Sequence, residues 1–178
     1  MLDAQIQTLI QQVMTAGLAA RGVAAACKQN NQPRQFAAPS TPTVFYTMGG
    51  RKKYGWPTAV DTVNIDDSIT TTTTQVVHTR FQVAGITPNA SPATPYALSS
   101  GDLASIASDI LQHETALAVF IAADCNVFRV TDNPAIWFQD SNAQNVEWAS
   151  FDIIFTHKDV FTTSTAPITD FNSGIYRV

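Results

Sequence analysis

Between Gln75 and Gly85 the chain alternates without a break: Val77, Thr79, Phe81 and Val83 fall on one side, and Val76, His78, Arg80 and Gln82 on the other. A period of two over that length marks a strand with one buried face, and Gly85 ends it. Such a strand needs a sheet partner and a cover. Val146 to His157 carries Ala149, Phe151, Ile153 and Phe155 on one face and predicts a second strand, the return limb of a hairpin that begins near Ile136-Trp-Phe138. Leu103, Ile106, Ala107, Ile110 and Leu111 form one apolar helix stripe behind N-cap candidates at Ser99-Ser-Gly-Asp102. The expected core is therefore Val77, Phe81, Val83, Phe151, Ile153 and Phe155, covered by the helix of Leu103, Ile106 and Ile110.

The other segments fill in around that unit. Leu2, Ile6, Leu9, Ile10, Val13 and Met14 give residues 2–20 the stripe of an amphipathic helix, with glutamines on the opposite face. Lys28 to Ser40 and residues 86–97 carry prolines and are expected as loops. Thr43-Val-Phe-Tyr-Thr47 predicts a strand closed by Gly49-Gly50. From Gly49 to Thr74 neither period holds, and the segment is expected as a long loop or hairpin extension. Glu114 to Ala123 is apolar nearly all round, so the helix it predicts should be buried, in its own core or against a neighbouring subunit. Cys125 to Val130 is a short strand and Asp132-Asn-Pro134 a turn. From Lys158 to Val178 strict alternation lapses while Val160, Phe161, Ile168, Phe171, Ile175 and Tyr176 remain as anchors. This tail is expected as an arm on another surface or as one further strand with a frayed end.

Helices between strands of one small sheet give an α+β class. The expectation is a single domain, 1–178: a small antiparallel β-sheet packed by two or three helices, with an extension at 49–74 and a C-terminal arm at 158–178.

Charge bears on what covers this domain. Of its 178 residues only 13% are charged, against a norm of roughly 25%. The polar surface must come from Thr, Ser, Asn and Gln, which suits surfaces that end against other protein. A net charge of −4 gives no footprint for tight nucleic-acid binding. Cys27 and Cys125 are far apart and expected as buried thiols. No run approaches a membrane span and no signal-peptide pattern opens the chain, which predicts a soluble protein made in the cytoplasm.

The sequence carries no pattern of residues that chemistry of a known kind would need. His78, His113 and His157 have no nucleophile elbow to serve and no helical His pair to bind a metal. Gly49-Gly50-Arg-Lys-Lys matches neither a Walker loop nor a dinucleotide fingerprint. Asp66-Asp67 lies in a polar stretch with no apolar pocket to raise a pKa. No catalytic, cofactor or metal site is expected.

What remains is a basic aromatic knot, Arg51-Lys52-Lys53-Tyr54-Gly-Trp56-Pro. Charge beside stacking rings suits nucleic-acid contact, or a loop tip whose rings plug into a neighbour. Together with the helical N-terminus, the strand from Thr74 to Gly85 with Gln75 near its start, the helix opening at Ser99-Ser-Gly-Asp-Leu and the strand Glu147 to His157, this stretch resembles the neck proteins of contractile-tailed bacteriophages, of the gateway and tail-terminator type, over residues 40–160. The resemblance implies a non-enzymatic virion protein, a ring, commonly of six subunits, between head connector and tail, with duplex DNA passing through it unread. It also implies other neck, connector and tail proteins as partners. The alternatives are a tail-tube or tail-completion protein and, from another class, a nucleic-acid-binding accessory protein. The expected interface residues are Arg51, Lys52, Lys53, Tyr54 and Trp56 in the extension, and Phe161, Phe171, Ile175 and Tyr176 in the arm; aromatic anchors on adaptable segments are what hot spots are made of.

Overall fold

The computed structural model describes residues 3–30, 40–88, 98–139 and 145–167. Its elements in order are α1 (Asp3–Ala20), β1 (Ala26–Gln29), β2 (Thr43–Val63), β3 (Ile69–Ile86), α2 (Ser100–Gln112), α3 (Glu114–Ala122), β4 (Cys125–Gln139) and β5 (Asn145–Thr165). The strands make one sheet in the order β1-β2-β3-β5-β4.

The two alternating segments pair as their matched faces require. Val83 lies opposite Phe151, Phe81 opposite Ile153 and Thr79 opposite Phe155, in antiparallel register. All six expected core side chains are buried, with Leu103 and Ile110 above them, while Ile106 packs half-buried at the margin. Phe155 meets Phe81 and Phe120 edge to face, at 5.9 and 4.9 Å between ring centres. At α2 the Ser99 hydroxyl accepts from the Asp102 N–H at 3.0 Å and the Asp102 carboxylate accepts from the Ser99 N–H. This reciprocal cap satisfies two N–H groups that the first turn would otherwise orphan. His113 ends α2 and begins α3, its ring nitrogen accepting from the Thr115 N–H.

Two glycines set how closely the layers approach. A Cβ at Gly85 would stand 2.7 Å from the Ser100 carbonyl and 2.9 Å from the Ala104 nitrogen, so α2 rests on the strand backbone itself. A Cβ at Gly17 would collide with the Ile110 side chain, where α1 meets α2.

Several elements differ from expectation. β1, four residues long and half-buried at one end only, lay in a stretch without a readable period. It joins β2 in parallel, so the sheet is mixed and not purely antiparallel. The expected turn at Asp132-Asn-Pro134 is instead a register shift between Asn133 and Ile136 within β4, since a bulge tolerates a residue with no N–H to donate. α3 buries only Ala116 and Phe120, leaving Val119 and Ile121 exposed on the surface of this chain. Residues 49–74 take the hairpin form of the expected extension, not the loop. They form the far halves of β2 and β3, joined by a tight turn. β5 likewise runs on to Thr165, so the first residues of the expected arm are strand.

A three-stranded blade as candidate interface

The sheet outruns its helices. Every residue of β2 from Gly49 to Val63 is exposed, and β3 is fully buried only from Val77 onward, apart from outward-facing positions. At ~3.3 Å per residue, Ile69 to Val76 carry the blade roughly 25 Å beyond the covered core. β3 is its centre: Thr72, for example, has Val60 on one side and Thr162 on the other. Threonine and valine hold this ribbon because β-branched side chains favour the pleat even where both faces are wet.

Local hydrogen bonds shape its tip and its waist. At the tip, Asn64 donates to the Ser68 and Thr70 hydroxyls, each at 2.8 Å. The Asp66 carboxylate accepts from the Ser68 hydroxyl at 2.6 Å and from its N–H. Those bonds hold the Asp66 carboxyl below its usual range, and Asp67 takes the left-handed conformation at φ 58°. The acidic pair is turn chemistry. At the waist, pairing skips from Tyr54 to Thr58, and the intervening Gly55 has φ +67° and accepts a hydrogen bond from Gln75 at 3.0 Å. The bulge throws Trp56 out to 94% exposure.

The basic knot divides between the two faces. Register sets Arg51 opposite Thr79, on the helix side. There its guanidinium meets Asp159 at 2.8 Å and Asp3 at 3.5 Å, tying the start of α1 to β5. Beneath it Thr79 touches His157 at 3.0 Å and Asp3 at 3.4 Å. His157 is 2% exposed and its Nδ1 has no partner. A neutral ring donating from Nε2 to the Thr79 oxygen fits this arrangement, and burial pushes its pKa below the ordinary value. Lys53, opposite Val77, lies on the same side.

Lys52 and Tyr54 take the other face. The Lys52 ammonium lies 5.1 Å from the centre of the Tyr54 ring. Tyr54 stacks on His78 at 4.1 Å, and His78 on Phe128 at 4.6 Å, an aromatic row across the uncovered sheet. Arg80 reaches the Gly49 carbonyl at 3.4 Å and Asp152 at 3.8 Å. Gly49, Gly50, Lys52, Tyr54, His78 and Arg80 border a cavity of about 310 Å³. Lys158 lies opposite Val76, and Arg129 and Arg80 lie opposite Ile154, so register sets all of these cations on the uncovered face. The chain is acidic in sum, yet this face is basic.

Phe161, opposite Thr73, is 67% exposed on the helix side of the blade. Phe171, Ile175 and Tyr176 lie outside the described residues. Sequence reasoning missed Phe128, Arg129 and Arg80 as companions of the knot, because only strand register brings β4 and β3 beside it. Among the described residues no group of three or more His, Cys, Asp or Glu is placed to hold a metal. No described helix is long and apolar enough to cross a membrane.

The family model of the E217 gateway protein gp29 matches residues 5–167. This chain belongs to that gateway-protein family. It is thus a phage structural protein of the gateway type, and its place is the virion. Among solved structures, the sheath/tube terminator of an extracellular contractile injection system, PVC, in its extended state, shares the fold at a TM-score of 0.57 and 10% identity. The match covers 100% of this chain and 64% of that one, so the gateway chain spans just under two thirds of the terminator's length. No curated protein matches.

Proposed function

We propose that the gateway chain assembles as a ring of six like subunits in the phage neck, between head connector and tail, with duplex DNA passing through the centre. In this reading residues 1–178 act as one domain, made in the host bacterial cytoplasm. The blade at 49–74 and the segment at 158–178 are its docking elements for neighbouring neck and tail rings. The observation that carries the reading is the blade itself. It leaves the core with both faces wet and bears Trp56, Val60, Val63, Ile65 and Phe161, all more than half exposed. Apolar groups gathered on such a projection are an interface feature rather than a monomer's surface.

A passage for DNA must not grip it. Each phosphate held by Lys or Arg releases counterions and adds affinity that falls steeply with salt. The subunit's net charge of −4 supports a bore that is acidic or neutral overall, with the cluster of Lys52, Arg80, Arg129 and Lys158 turned to an acidic neighbouring ring.

The mass of the purified protein in solution, together with electron micrographs of rings, tests the assembly. A monomer at every concentration would overturn it. Fold likeness to a sheath/tube terminator supports a second placement, at the end of the tail tube. Co-sedimentation with purified tail tubes but not with connectors would favour that placement.

A further inference from the structure

We propose that the far half of the blade is completed by a second copy of this chain. The edge of β2 at Thr58–Val63 pairs, in parallel, with the edge of β5 at Val160–Thr165 of the next subunit, and the ring closes through these joints. The inference rests on the ring of like subuits proposed for the function and names the contact that makes it.

The blade has two open edges among the described residues. β1 covers β2 only from Thr43 to Tyr46, and β4 stops covering β5 where Cys125 meets His157. Beyond those points no described strand lies beside the outer main-chain N–H and C=O groups of either strand. Exposed edges invite pairing with another chain, and proteins that stay monomeric blunt them with Lys, Pro and bulges. β2 is blunted near its base, by Lys52, Lys53 and the bulge that holds Gly55, Trp56 and Pro57. Past Thr58 the guards stop. Thr-Ala-Val-Asp-Thr-Val contains one charge, Asp61, whose carboxylate already accepts from the Thr71 hydroxyl at 2.6 Å. On the other side Val-Phe-Thr-Thr-Ser-Thr contains no charge, proline or glycine. Two segments of that kind, left bare, would be aggregation sites. Selective blunting of one half implies that the other half has a use.

Geometry chooses the partner and the direction. Thr58 and Val160 both face Thr74, Val60 and Thr162 both face Thr72, and Thr62 and Ser164 both face Thr70. The two bare edges therefore match in length and stand at the same height on opposite sides of one ribbon. Both strands run antiparallel to β3, hence parallel to each other. Rotation about an axis along the blade brings β2 of one copy against β5 of the next without reversing either. The joint is head to tail and repeats until the ring closes. Six subunits contributing three strands each would give a barrel of about 18 strands, a size that leaves an open aqueous channel.

The test uses the full chain with Val60→Cys and Thr162→Cys, singly and together, and a short bis-maleimide. Native Cys125 is buried and Cys27 half-buried, and burial pushes both thiols up to about 11, so the unsubstituted chain supplies a low background. Neither single variant should link to itself. Their mixture should give dimers, and the double variant a ladder ending at the closed ring. Self-linking of either single variant would show two-fold pairing and overturn the proposal. A ring of normal mass with no links in the mixture would also overturn it while leaving the ring itself standing. A monomer throughout would defeat both. As an independent arm, V60K with T162K sets like charges across every joint. Ring mass should fall to that of the subunit with thermal unfolding of the subunit little changed; a ring that persists contradicts the pairing.

Discussion

Gly85 and His157 show how single positions are fixed by what packs on them. At Gly85 the space for a side chain is filled by main chain, the Ser100 carbonyl and the Ala104 nitrogen, and main chain moves only if α2 moves. Gly85→Ala should therefore cost ~1–3 kcal/mol by overpacking, read as a fall in the midpoint of chemical denaturation. His157 makes stability depend on pH. Burial lowers its folded pKa from an unfolded value of about 6.5, so between the two values the unfolded chain holds a proton that the folded chain refuses. Stability then rises with pH through that window and is lost as pH falls below about 6.5, with a slope of at most ~1.4 kcal/mol per pH unit for one proton. His157→Gln keeps a donor for Thr79 and should flatten the slope between pH 7 and 5 in denaturation midpoints. An unchanged slope would place the titration elsewhere.

Among the elements, core strands and blade strands obey different rules. Where β3 and β5 lie under α2, one face is dry. Phe151→Ala should cost ~3–5 kcal/mol there, and an unchanged melting temperature would contradict the burial of that face. On the blade both faces are wet, so Trp56→Ala should leave unfolding within about 0.5 kcal/mol of the parent. The same substitution should impair joining of heads to tails in assembled particles. A Trp56 variant that assembles normally would remove the waist of the blade from the docking surface.

For the molecule as a whole, the end of β5 decides where the chain can be cut. Removing residues 160–178 strips Val160–Thr165 from the edge of β3 and should loosen the blade. Removing only 168–178 leaves every described strand in place. The shorter deletion should fold with an unchanged melting temperature yet fail to attach heads to tails. If it lowers the melting temperature by several degrees, that segment belongs to the core and not to an arm.

The sequence by itself determined the half of the fold in which water touches one face only. Alternation at Val77–Val83 and Ala149–Phe155, and the stripe at Leu103–Leu111, are records of that asymmetry, and the capping residues at Ser99 and Asp102 mark where the helix starts. The same logic explains what was illegible. Residues 49–63, 69–76 and 158–165 are strands with solvent on both sides, so no apolar period distinguishes them from loop, and the bulges at Gly49 and at Gly55–Pro57 shift what little parity exists. β1 is too short to carry a period at all. Tertiary structure alone decided that Arg51 would be drawn to Asp3 and Asp159 while Lys52 and Tyr54 joined Arg80, His78 and Phe128. Neighbours in sequence were sent to opposite faces because successive side chains of a strand point opposite ways, and residues far apart in sequence met because β2, β3, β5 and β4 lie side by side.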